Sequence, residues 1–177
     1  MLFLIWADMV SLLQLMALLI AGIFLSVWCR FSRVPLISYL LDIFEKEEHL
    51  KVFPGRGALM FLFGTILAII IFPKDIALAS IAVLTFGDSV SALYGIAFGR
   101  VQHPLSRKKF AEGNIAGGAA AFIVALLFVS VPEALFASIV GMLIEAVESR
   151  RFKVILDDNL TIPMAAGLVI LLIRILF

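Results

Sequence analysis

Asp88 is the residue around which the possible chemistry of this chain gathers. It stands in Phe86-Gly87-Asp88-Ser89, within a long apolar run. A carboxylate there is costly unless it is paired, hydrogen-bonded or bound to a metal. Thr85, Asp88, Ser91, Gly95 and Gly99 recur at intervals of three and four, so they line one helical face. That face is polar at its centre and bare toward one end. Its carboxylate is a candidate metal ligand or general base. The structural alternative is helix packing with Asp88 bonded to Thr65 or Gln14.

A basic loop follows. Arg107, Lys108 and Lys109 precede Glu112-Gly113-Asn114 at a helix start. Unpaired N–H groups and partial positive charge at such a start suit phosphate. Gly113, Gly117 and Gly118 would leave that end uncrowded, and the lysines add point charges. The alternative is that these cations only anchor the chain at a membrane surface. Farther on, Glu145 and Glu148 share a helical face, with a salt bridge to a cytosolic Arg as the plainer reading of Glu145. Asp157-Asp158-Asn159-Leu160-Thr161-Ile162-Pro163 opens the last apolar run, and there Asp157 suits a cap. Asp88, Glu112, Glu145 and Asp158 are expected to converge on one Mg²⁺, held by oxygen ligands near phosphates. No GxxxxGK[ST] loop occurs, which excludes a P-loop kinase.

These residues sit in a very apolar chain. Its 177 residues are 63% apolar and 15% charged, with mean hydropathy +1.16. Soluble domains are nearer half apolar and a quarter charged. The composition implies an all-α polytopic membrane protein, one domain over residues 1–177. A net charge of +1 gives no reason to expect nucleic acid as a partner. The single cysteine, Cys29, excludes an internal disulfide. The N-terminus lacks the basic start and cleavage site of a signal peptide and reads as a first helix.

Six spans are expected: Met9–Trp28, Ala58–Phe72, Ile76–Gly99, Asn114–Val131, Pro132 to about Glu148, and Leu160–Phe177. Val34–Phe44 has the pattern of an amphipathic helix lying at the interface. A turn cluster, Phe53-Pro54-Gly55-Arg56-Gly57, ends that segment. Arg30, Arg33, Lys46, Lys51, Arg56, Arg100, Arg107, Lys108, Lys109, Arg150, Arg151 and Lys153 fall on one side, twelve of the fourteen Lys and Arg. Only Lys74 and Arg174 fall on the other. The positive-inside rule then makes the basic loops cytoplasmic and both termini external.

Gly87-Asp88-Ser89 with Ala92, Gly95 and Gly99, Lys109 with Glu112-Gly113 and Ala116-Gly117, Glu145-Ala146, and Asp158-Asn159-Leu160-Thr161-Ile162-Pro163 together resemble the polyprenol kinase family. That family includes dolichol kinase, phytol kinase and the CTP-dependent diacylglycerol kinases. Pro54-Gly55 with Gly57-Ala58 also fits. The resemblance covers roughly residues 54 to 165, and departs at Phe110, where Ser or Thr is expected. It implies Mg²⁺-assisted phosphoryl transfer from CTP to a lipid alcohol, giving CDP and a lipid monophosphate at the cytosolic face of the cell membrane, or of the endoplasmic reticulum in a eukaryote. It implies catalytic roles for Asp88 and Asp158. Phosphate contacts would come from Arg107, Lys108, Lys109, Glu112, Gly113, Asn114, Gly117, Asn159 and Thr161. The small faces of the third and fourth spans would also allow a homodimer. Two alternatives stand beside this reading: a CTP:phosphatidate cytidylyltransferase-like enzyme, which would release pyrophosphate, and a small transporter subunit using Asp88 as a relay.

Overall fold

The computed structural model describes residues 2–31, 54–106, 109–147 and 157–176. Among these the chain forms seven helices: α1 (Leu2–Trp6), α2 (Leu12–Phe31), α3 (Arg56–Ile71), α4 (Lys74–Phe98), α5 (Ala111–Ala125), α6 (Val131–Ala146) and α7 (Asp158–Leu176). The expected amphipathic helix at Val34–Phe44 lies outside the described residues, as do Arg107, Lys108 and Glu148.

The protein is a helical membrane protein, but the spans are not equal. Three helices are long and apolar enough to cross a bilayer: Leu12–Cys29 within α2, Lys74–Phe98 and Asp158–Leu176. The other three expected spans are shorter. α3 and α6 have 16 residues and α5 has 15, so each is at most about 24 Å long, against a hydrocarbon core of about 30 Å. α5 stops at Ala125, where the expected span continued to Val131, and a turn leads directly into α6. Ser130 and Glu133 form a capping box there, with Pro132 in the first turn. α1 was not expected from the sequence. Asp8, at φ 54°, breaks the chain between α1 and α2, a left-handed conformation that Asp tolerates better than most residues.

α4 is the centre of the bundle. Ile76 to Leu84 are all buried, and the helix runs unbroken through Gly87. It packs against α5 most extensively, and also against α3, α6, α7 and α1. The α4–α5 contact is close because glycines face each other. A Cβ at Gly113 would lie 2.5 Å from the Ser91 carbonyl, and one at Gly117 would overlap the Gly87 carbonyl. Gly113 and Gly117, part of the small faces expected to allow a homodimer, are thus packed inside the chain. α2 contacts α3 and is otherwise largely exposed, as a lipid-facing helix would be.

Charged residues separate to the two ends of the bundle. At one end Arg174 Nε donates to Glu133 Oε1 at 2.8 Å and its Nη1 to Asp75 Oδ2 at 2.7 Å, while Lys74 pairs with Asp8 at 2.6 Å. The N-termini of α3, α5 and α7 and the C-termini of α4 and α6 meet at the opposite end.

Candidate active site

α6 delivers Glu145 on its last turn. Ala134, Ala137, Ser138, Gly141 and Met142 keep the same face turned inward, so the carboxylate is only 3% exposed. Burial on that scale requires partners. Lys109 Nζ donates to Oε1 at 2.6 Å and to the Glu145 main-chain carbonyl at 2.5 Å. Ser91 Oγ donates to Oε1 at 3.3 Å. Asn114 Nδ2 donates to Oε2 at 3.0 Å and to the Met142 carbonyl at 2.9 Å. The plainer reading of Glu145, a salt bridge to an arginine, is corrected in its partner: the cation is Lys109.

Lys109 reaches this position because the loop after α4 folds back on itself. His103 N–H donates to the Lys109 carbonyl at 2.8 Å, and Ala111 N–H to the Val101 carbonyl at 2.9 Å. Gln102 and Phe110 form an antiparallel bridge between them. The Phe110 ring lies over Gly95 and Gly99, where a Cβ on Gly99 would collide with it. The residue that departs from the expected Ser or Thr thus anchors the loop by covering the bare end of α4. Glu112 clamps the start of the same loop. Its carboxylate accepts from the N–H groups of Val101 at 2.9 Å and Arg100 at 3.2 Å. The hydrogen bond from its own backbone N–H, with those of Val101 and Arg100, holds its pKa below the usual range.

Asp88 is exposed, one helical turn before Ser91, and lies within electrostatic reach of Lys109 and Glu145. The alternative that pairs it with Thr65 or Gln14 does not hold. Thr65 donates to the Phe61 carbonyl of its own helix, and Gln14 bonds Ser11. Ser91, Lys109, Asn114 and Glu145 form one hydrogen-bonded site, built from α4, the returning loop, α5 and α6, with Asp88 one helical turn before Ser91.

A second polar group lies at the start of α7. Asp157 Oδ1 accepts from Asn159 N at 3.1 Å and Nδ2 at 2.9 Å, and Thr161 Oγ1 donates to the Asp157 carbonyl at 3.3 Å. Asp157 is the expected cap. Its other oxygen stands 3.7 Å from Arg56 Nε, which ties α7 to the start of α3. Asp158 begins the helix beside it.

The expected convergence of four carboxylates does not occur. Among the described residues no three of His, Cys, Asp and Glu form a group that could hold a metal ion. Glu112 is used by backbone N–H groups, Glu145 by Lys109, Asn114 and Ser91, and Asp158 belongs to the α7 start. The physical reason is the returning loop, which brings an ammonium to Glu145. Gly113 and Gly117 are also reassigned. The space left by their missing side chains is filled by α4, so they serve the helix crossing. Asn114, expected at phosphate, is a donor to Glu145. Ser91 was not selected as a site residue, although its spacing of three from Asp88 was the available signal.

No protein-family profile matches the chain, and no solved structure matches it. It is similar to an uncharacterised protein of Methanocaldococcus jannaschii, 27% identical over 165 residues, which cover 90% of this chain and 78% of that one. It is also similar to CTP-dependent diacylglycerol kinase 1 of Eremothecium gossypii, 35% identical over 83 residues. Those residues are 47% of this chain, and the match spans about a quarter (24%) of the kinase's length.

Proposed function

We propose that the protein is a CTP-dependent lipid-alcohol kinase that phosphorylates a polyprenol-type hydroxyl at the cytosolic face of its membrane. The observation that carries this reading is the similarity to a CTP-dependent diacylglycerol kinase, in a chain that groups Ser91, Lys109 and Asn114 around a buried Glu145, with Asp88 one helical turn before Ser91. The short helices α3, α5 and α6 complete six crossings in this proposal, with the basic loops inside and both termini outside, as the twelve-to-two split of Lys and Arg favours.

Phosphoryl transfer requires chiefly positioning and charge neutralisation. Lys109 would share its ammonium between Glu145 and the nucleotide phosphates. Asp88 would accept the lipid hydroxyl proton as the oxygen attacks the γ-phosphorus. The bond to the β-phosphate oxygen then breaks and CDP leaves. The described residues do not build a protein-only Mg²⁺ cage. They fit an ion carried in with the phosphates, which needs one or two carboxylates; Asp88 is the residue that would meet it, with Asp158 as the second candidate. When bound, the ion would neutralise charge on the transferring phosphoryl group. Purified protein incubated with CTP, Mg²⁺ and a panel of lipid alcohols tests the proposal. CDP and lipid monophosphate are expected; pyrophosphate with a CDP-lipid would instead identify a cytidylyltransferase.

A further inference from the structure

A groove of about 330 Å³ runs between α5 and α6. Asn114, Gly118 and Phe122 of α5 face Leu135, Ile139 and Met142 of α6 across it. Its origin is the angular spacing of two adjacent glycines. Gly117 is turned onto the α4 backbone, whereas Gly118, about 100° farther round the helix, is turned toward α6. A Cβ at Gly118 would be in ordinary contact with Met142 Cγ at 3.6 Å, so the helices stand apart there and leave an apolar slot. Ser138, the polar residue on the α6 wall, donates to the Leu135 carbonyl of its own helix. Polarity is therefore concentrated at one end, at Asn114.

We infer that this groove holds the tail of a single-chain lipid alcohol, with its hydroxyl at Asn114. Three observations select that occupant. The slot extends from Asn114 to Phe122, about 12 Å, and its volume is near the low end for ligand sites, roughly 300–1,000 Å³. At about 330 Å³ over that length it suits one extended hydrocarbon chain. Asn114 also belongs to both the groove and the charged site. Its Nδ2 faces two acceptors, Glu145 Oε2 and the Met142 carbonyl, which turns the amide oxygen the other way as an acceptor for a hydroxyl. A tail seated here would bring its hydroxyl to the groove side of Asn114, whose amide links it to Glu145 of the charged site. The hydroxyl's destination rests on the proposed phosphoryl transfer; occupancy of the groove by the tail does not.

The test is photolabelling of the full-length protein in phosphatidylcholine vesicles with an isoprenoid alcohol carrying a diazirine on its tail. Labelling is expected on α5 and α6 within residues 114–143, competed by the unlabelled alcohol. Gly118→Leu, which fills the slot, is expected to reduce it roughly tenfold, while Gly118→Ala leaves it unchanged. Ile139→Trp narrows the groove from its lipid side and should act like Gly118→Leu, which guards against a folding defect in one variant. Labelling spread evenly over all exposed helices, or insensitive to both filling variants, would overturn the groove and leave only bulk lipid at this seam. Competed labelling without CDP formation from CTP would keep the groove and reject the kinase reading. CDP formation without competed labelling would reject the groove alone.

Discussion

Lys109 and Glu145 are 36 residues apart in sequence, yet the lysine ammonium reaches both a side-chain oxygen and the main-chain carbonyl of the glutamate, at 2.6 and 2.5 Å. The pair joins the returning loop to the last turn of α6. It also explains why a basic residue stays at this depth. The 3%-exposed carboxylate holds the ammonium in place before any phosphate arrives.

Lys109→Ala is expected to strand Glu145 as an uncompensated buried charge, at a cost of about 3–5 kcal/mol. Thermal melting in detergent should show the loss. The double variant Lys109→Ala/Glu145→Ala should regain much of that stability and none of the CDP-forming activity. If the single and double variants melt alike, the pair does not hold the loop.

Asp88→Asn separates chemistry from folding. The side chain is exposed, so melting should change little. Losing a general base or metal ligand should lower turnover by about 10²–10⁴-fold. Near-normal CDP release would remove Asp88 from the mechanism.

The helical class, the polar face of α4 and the capping role of Asp157 were legible in the sequence because each follows from local spacing. The partners of Glu145 were not. That carboxylate's environment depends on a loop that reverses between Gly99 and Ala111, and the reversal rests on the Phe110 ring meeting Gly95 and Gly99, a contact with no fixed period. The glycines at 113 and 117 had two readings, ligand approach or helix approach, and only the three-dimensional contacts with Ser91 and Gly87 decide between them. The end of α5 was hidden for a related reason: the apolar run continues past Ala125, while a turn and the capping chemistry at Ser130 end the helix sooner, whereas α3 lies within two residues of its expected span.

Gly117 and Gly57 should respond in opposite ways to alanine. Gly117→Ala forces a methyl group onto the Gly87 carbonyl and Ser91, an overpacking cost of about 1–3 kcal/mol. Nothing lies within 4 Å of a Cβ at Gly57 in the first turn of α3, so Gly57→Ala should stabilise by up to about 1 kcal/mol through helix propensity. Equilibrium melts of the two variants check both signs.

Glu112 gives the loop a pH dependence of known sign. Its pKa is lowered in the folded protein, chiefly by backbone N–H groups. The stabilisation is therefore present above the carboxyl's ordinary pKa and is lost as the pH falls through the lowered folded value. Hydrogen exchange at the Arg100 and Val101 amides should stay slow through neutral pH and become faster under acid, once intrinsic rates are divided out. Glu112→Gln should abolish that transition.

The opposite end of the bundle predicts stability without activity. Arg174 joins the start of α4 at Asp75 to the start of α6 at Glu133, and Glu133 is itself buried, accepting also from Ser130 N and Oγ. Arg174→Ala leaves that carboxylate with Ser130 alone, a loss of about 1–3 kcal/mol. Arg174 and the Lys109 site lie at opposite ends of the bundle, so CDP formation per folded molecule should be unchanged at a temperature where the variant remains folded. Melting measured beside turnover distinguishes the two roles: a fall in turnover with no fall in melting temperature would make this network part of the active machinery instead of a staple.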